Sequence, residues 1–201
     1  MKRLFKHIIC IMAIVAFVSC DTEETSDVSR VTTYAVFEYD PIIVIPLGGA
    51  FEPSAIATEN GGELQVTTTE NVNTNVVGIY DVVYSATNSD GFEANAFQTV
   101  VVHDPSIVGN DVSGAIYDVG RPERTGVISL VEGTTSIFYC TDFGFSGSFP
   151  MYFQMDGDVI SEIPQNYTFD VESVDLTYDP VLLQFTTFIN PQGFDYTFKY
   201  Q

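Results

Sequence analysis

The chain has 201 residues, 27 acids against seven Lys and Arg, a formal charge of −20, and no Trp. So few bases exclude a nucleic-acid partner, because phosphate binding needs clustered Lys and Arg. Peripheral attachment to anionic lipid is excluded for the same reason. A self-repelling acidic surface keeps a protein solvated.

The first predicted segment is a leader. Lys2, Arg3, Lys6 and His7 precede an apolar run from Ile8 to Val18, and the small Ser19 precedes Cys20. Basic start, short apolar stretch and small residue are the parts of a secretory signal over residues 1–19. The run is too short for a permanent membrane span. Phe17-Val18-Ser19-Cys20 resembles a bacterial lipobox. The resemblance implies cleavage before Cys20 and lipid attachment there, and several acyl chains make a stable anchor. The alternative is an ordinary signal peptide with an incidental cysteine. Asp21, Glu23 and Glu24 follow at once and resemble the surface-export signal of Bacteroidetes lipoproteins. That implies an outer-membrane protein facing the cell exterior.

Cleavage removes Lys2, Arg3 and Lys6 and no acid, so losing three cations moves the charge from −20 to −23. Cys10 leaves with the leader and Cys20 carries lipid, so Cys140 remains alone and no intramolecular disulfide can form. Cys140 ends the run Ser136-Ile137-Phe138-Tyr139 and reads as a small buried hydrophobe.

Residues 20–30 are polar and acidic without periodicity and read as a tether. Extended signals begin at Val31. Tyr34–Phe37 and Ile42–Ile45 are β-rich runs separated by Pro41, and Leu64–Thr69 alternates. Two longer strands are predicted from about Val76 to Thr87 and from Ala94 to Val102. In the first, Tyr80, Val82, Tyr84 and Ala86 share one side and Asp81, Ser85 and Thr87 the other, the period of a half-buried strand. Asn88-Ser89-Asp90-Gly91 between them has turn chemistry, with Gly91 free to take positive φ.

Phe51-Glu52-Pro53, Ala55-x-Ala57-Thr58, Gly61-Gly62-Glu63-Leu64, Gly78-x-Tyr80-x-Val82-x-Tyr84 and Ala96-Phe97-Gln98-Thr99 together resemble the bacterial Ig-like domain of surface proteins and lipoproteins. The resemblance covers about residues 31–103 and implies a β-sandwich over residues 31–104. Gly78-x-Tyr80 falls where a tyrosine corner would lock a strand entry. The family's Asp-x-x-Gly-Asn turn is only partly kept, with Asn88 and Phe92 in place of its outer polar residues, so calcium is not expected there.

Residues 105–111 read as a linker. Beyond it, strands are predicted over residues 113–119, 125–131, 135–140, 149–155, 159–163, 167–178, 181–189 and 194–200, separated by turn-like segments. Eight short strands suggest an antiparallel β-meander over residues 112–201, closed as a small barrel or folded as a sandwich. The fold class is therefore all-β: an N-terminal Ig-like β-sandwich followed by a C-terminal antiparallel β-meander. Leader, Ig-like unit and small β unit in this order resemble the two-domain lipoproteins of Bacteroidetes that accompany outer-membrane glycan-uptake systems. The resemblance implies polysaccharide or uptake proteins as partners, and it supplies no catalytic residues.

Catalytic equipment is sparse. After cleavage His103 is the only histidine, and it reads as an exposed strand-end residue, so a Ser-His-Asp or Cys-His site would depend wholly on it. No zinc-protease, paired-cysteine or phosphate-loop spacing occurs. The sequence implies no cofactor, no metal and no catalytic site. A carboxylate pair could still hydrolyse glycosides, but with 27 acids any spacing can be found. The aromatic stretch Ile137–Met155 is more informative, because sugar-binding surfaces set aromatic faces against pyranose rings beside carboxylates. Phe143, Phe145, Asp142 and Tyr152 are the candidate ligand-binding residues. Alternatively Phe138, Phe149 and Phe153 are core and only residues 142–148 are exposed. Three functions follow: a lipoprotein presenting a ligand-binding β unit on an Ig-like spacer, a structural or adhesion module of an outer-membrane assembly, or a carboxylate-pair glycoside hydrolase.

Overall fold

The computed structural model describes residues 31–144 and 148–201. The leader (1–19), Cys20 with the tether (20–30), and Phe145 lie outside the described residues. Every element among the described residues is a strand, and three sheets result.

β1 (Val36–Glu38), β3 (Ile56–Glu59) and β4 (Gly62–Leu64) form a three-stranded sheet in the order β1-β3-β4. β2 (Ile42–Pro46), β5 (Thr67–Glu70), β6 (Gly78–Thr87) and β7 (Glu93–His103) form a four-stranded sheet in the order β2-β7-β6-β5. The β2–β7 pairing is parallel; β5–β6 and β6–β7 are antiparallel. The period of two decides what faces inward. Ile45, Val82, Tyr84, Ala96, Val100 and Val102 are buried between the two sheets, with Phe37, Tyr39, Ile43 and Phe51 packed against them. This is an Ig-like β-sandwich. Its expected local devices are present. Tyr80 donates its hydroxyl hydrogen to the Val76 carbonyl at 3.0 Å, the tyrosine corner. At the β6–β7 turn the Asn88 side chain accepts from the Phe92 amide at 2.7 Å, and Gly91 takes φ +85°.

The rest of the chain builds one eight-stranded antiparallel sheet. Its strands are β8 (Gly114–Asp118), β9 (Arg121–Leu130), β10 (Ile137–Cys140), β11 (Met151–Asp156), β12 (Val159–Glu162), β13 (Glu172–Asp179), β14 (Gln184–Asn190) and β15 (Phe194–Tyr200). The order is β12-β11-β10-β9-β8-β15-β14-β13, so neighbours in sequence are neighbours in space except where β15 returns to β8. The sheet curls into a near-barrel with β12 and β13 as its edges. Glu162 crosses that seam, accepting from the Leu176 amide at 2.6 Å. A small barrel must be filled by its own side chains. Ile116, Ile128, Phe138, Met151, Phe153, Met155, Phe185 and Phe198 do so. Two expected strands start late: the one expected over 167–178 begins at Glu172 and the one over 181–189 at Gln184. Residues 181–183 belong to the β13–β14 turn, because the Asp179 carboxylate accepts from the Val181 and Leu182 amides, both at 2.9 Å.

Tyr34–Gln201 forms one compact unit. Residues 105–111, expected to be a linker, are tied to the barrel: Gly109 bridges Gly157, and the Gly109 amide donates to the Thr135 carbonyl at 3.0 Å. A third apolar cluster joins sandwich to barrel. Ile79 and Val101, on the outer face of the four-stranded sheet, meet Ile137 and Ile163, with Val44, Val77, Val131 and Tyr152 around them. The Ile79 amide donates to the Pro164 carbonyl at 2.8 Å. A Cβ on Gly78 would stand 3.0 Å from that oxygen, so the absent side chain permits the approach.

Candidate functional site

The aromatic stretch divides between core and surface. Phe143, expected at an exposed loop, is fully buried. Its ring stands edge-on to Phe153, Phe185 and Phe198 at 6.0, 6.0 and 5.2 Å. The reason is the barrel's need for filling: the loop after β10 turns inward and drops Phe143 into its end. Asp142 serves that loop. Its carboxylate accepts from the Gly144 amide at 2.8 Å and the Phe149 amide at 2.9 Å, while Arg124 donates to the Gly144 carbonyl at 2.7 Å. Asp142 holds the loop through one carboxylate oxygen, and Phe143 does not reach the surface. Phe138, Phe149 and Phe153 are core, as the alternative reading had it.

Tyr152 is placed otherwise. It alternates with the buried Met151 and Phe153 on β11 and so points out of the barrel. Tyr139 is its partner across the β10–β11 ladder, with ring centroids 4.8 Å apart and planes inclined by 45°. Both are half-buried. They line a groove of about 560 Å³ with Ser129, Leu130, Val131 and Glu132 from the barrel and Ile42 and Val44 from β2 of the sandwich. Burial pushes the Tyr152 hydroxyl pKa upward, reinforced by Tyr139 and by the negative charge of Asp81. Asp81 is fixed by the Asn166 side-chain amide, which donates to it at 2.7 Å. The groove thus combines two phenol rings, an aliphatic wall and the Glu132 carboxylate, the parts that grip a ligand having one apolar face and several hydroxyls.

The sequence pointed to Tyr152, while Tyr139 was one aromatic among many. Ile42 and Val44 were missed as site residues. The alternation of β2 could have found them, since Ile43 and Ile45 face the sandwich core and leave the other pair outward.

The two remaining chemical suspects are structural. His103 is buried, with 6% of its surface exposed, instead of lying exposed at a strand end. Residues 100–103 are covered on both faces, by the sandwich core and by the barrel junction, which is why the strand end is not open. Among the described residues its Nδ1 has no hydrogen-bond partner, and burial lowers its pKa against the opposing pull of Asp104. Cys140 is buried in the barrel core, and that burial pushes its thiol up to about 12, the opposite of an activated nucleophile. Among the described residues no cluster of three or more His, Cys, Asp or Glu could hold a metal ion. No helix among them is long and apolar enough to cross a membrane.

Residues 37–102 match the family model of the bacterial surface protein Ig-like domain. The Ig-like segment is thus the sandwich that supplies Ile42 and Val44. Among solved structures, a lipoprotein from Bacteroides thetaiotaomicron is similar: 22% identical, over 82% of this chain and 98% of that one, with a TM-score of 0.41. Among curated proteins none matches.

Proposed function

We propose that the chain is a non-enzymatic cell-envelope lipoprotein, anchored in the outer membrane through Cys20 and facing the exterior, that binds a glycan between its Ig-like sandwich and its barrel. Residues 1–19 act as the leader and 20–30 as the tether, with 31–104 and 112–201 as the two β units. The observation that carries the binding reading is the outward pair Tyr139–Tyr152 at the wall of the groove. Paired aromatic rings are held half-exposed there, in a fold that fills its interior with other aromatics. Glu132 and Ser129 add hydrogen-bonding groups at the same place.

The test is glycan-array binding by the mature chain, residues 20–201. Binding that is lost in Tyr139→Ala and Tyr152→Ala, and kept in Phe143→Leu with its core preserved, supports the reading. No glycan binding overturns it. A rival reading, a structural module in an outer-membrane assembly, draws on the β13–β14 turn, where Val181 is 88% exposed and Leu182 57%. Co-purification with an outer-membrane channel that depends on Val181 and Leu182, without sugar affinity, would put that reading in its place.

A further inference from the structure

We propose that the Ig-like sandwich is a working wall of the glycan groove and that the groove selects glycans without negative charge. This rests on the reading of the groove as a glycan site and assigns the sandwich a role beyond that of a spacer.

The wall comes first. On β2 the side chains alternate: Ile43 and Ile45 enter the sandwich core, while Ile42 and Val44 leave it toward Tyr139 and Tyr152. Val44 is held by the junction cluster, and Ile42 beyond it is 53% exposed. The junction fixes the position of this wall. It combines the apolar contacts of Ile79, Val101, Ile137 and Ile163 with the backbone bond from Ile79 to Pro164 and the side-chain bond from Asn166 to Asp81. A ring-shaped ligand in the groove meets aliphatic carbon from the sandwich on one side and phenol rings from the barrel on the other. Neither sheet alone encloses it.

Charge comes second. Glu132 lines the groove. Asp81 occupies the same row of the outer sheet face as Ile42, since both pair with Thr99 on β7. Its field reaches the Tyr152 hydroxyl. Among the described residues no Lys or Arg lines the groove, and Arg124 is committed to the Gly144 carbonyl. Glu132 accepts hydrogen bonds from sugar hydroxyls, and the two carboxylates together attract an amino sugar. They repel a uronate or a sulfate, and because both carboxylates are exposed that repulsion weakens as salt is raised.

The experiment is calorimetric titration of the mature chain at 150 mM salt with four probes: cellohexaose, mannohexaose, chitosan hexamer and hexagalacturonate. At least one neutral or amino probe is expected to bind at least tenfold more tightly than hexagalacturonate, and Glu132→Gln is expected to narrow that gap. Ile42→Asp is expected to weaken the binding at least tenfold with the melting temperature held. Ile42→Thr, milder in its effect on folding, is expected to weaken it severalfold. Hexagalacturonate binding as tightly as the best neutral or amino probe overturns the charge selection. Wild-type affinity in both Ile42 variants, with binding lost in Tyr152→Ala, overturns the sandwich wall and leaves the glycan reading standing. No binding by any probe overturns both.

Discussion

Replacing Phe143 by alanine separates the barrel-plug reading from the surface-ligand reading. The ring is fully buried and touches three other aromatic rings edge-on. Truncating a buried Phe to Ala costs about 3–5 kcal/mol, from lost transfer energy plus the cavity left behind. Edge-to-face pairs contribute roughly 0.5–1.5 kcal/mol each beyond area. Three such pairs place this site in the upper half of the range, at about 4 kcal/mol. For a chain of this size 1 kcal/mol moves Tm by about 2–4 °C, so the expected drop is roughly 8–16 °C. Thermal and urea unfolding followed by circular dichroism read it directly. A Tm within about 3 °C of wild type would refute the burial argument, and with loss of ligand binding it would return Phe143 to the surface.

Three further outcomes follow from the same packing. Cys140 should resist maleimide and disulfide reagents up to about pH 9 in the native protein and react only as the barrel unfolds, because burial holds its thiol near 12; stopped-flow labelling with and without urea checks this. His103 has its folded pKa lowered by burial, so the unfolded chain takes up the proton first, near its ordinary ~6.5. The stability that its neutral form contributes is complete above that pH and is lost as pH falls through the folded value; His103→Gln should flatten the urea midpoint against pH between 7 and 5. Gly78→Val should cost roughly 1–3 kcal/mol by overpacking against Pro164 and should speed hydrogen exchange of the Ile79 amide, which bonds the same carbonyl.

How far the fold could be read in advance depended on the range of the interactions involved. Strand period and turn chemistry are local, so β6, β7 and their Asn88–Gly91 turn were legible, as were all eight barrel strands. The strand order was not, because β15 pairing with β8 joins residues remote in sequence. Residues 181–183 were misplaced because the apolar run Val181-Leu182-Leu183 looks like a strand. A single Asp179 carboxylate, by capturing two amides, outweighs the propensity of three side chains. The exposure of Phe143 was misjudged in the same way. A loop of Gly, Ser and Asp reads as exposed, and only the empty end of a barrel makes burying its phenylalanine favourable.

One signal of the junction was present in the sequence. β7 alternates at its start and then ceases to: Val100, Val101, Val102 and His103 are all buried. A strand with one wet face has no reason to place four such residues in succession, whereas a strand covered on both faces does. Thr99-Val100-Val101-Val102-His103 therefore marks the place where a second layer packs on the outside of the sandwich. From that break the rest follows by register. Val101 lies beside Val44 and Ile79, the next pair outward along β2 and β7 is Ile42 and Thr99, and Ile42 is where the contact opens into the groove. The loss of alternation that fixes the sandwich against the barrel is thus also what creates a two-walled site at the edge of their contact.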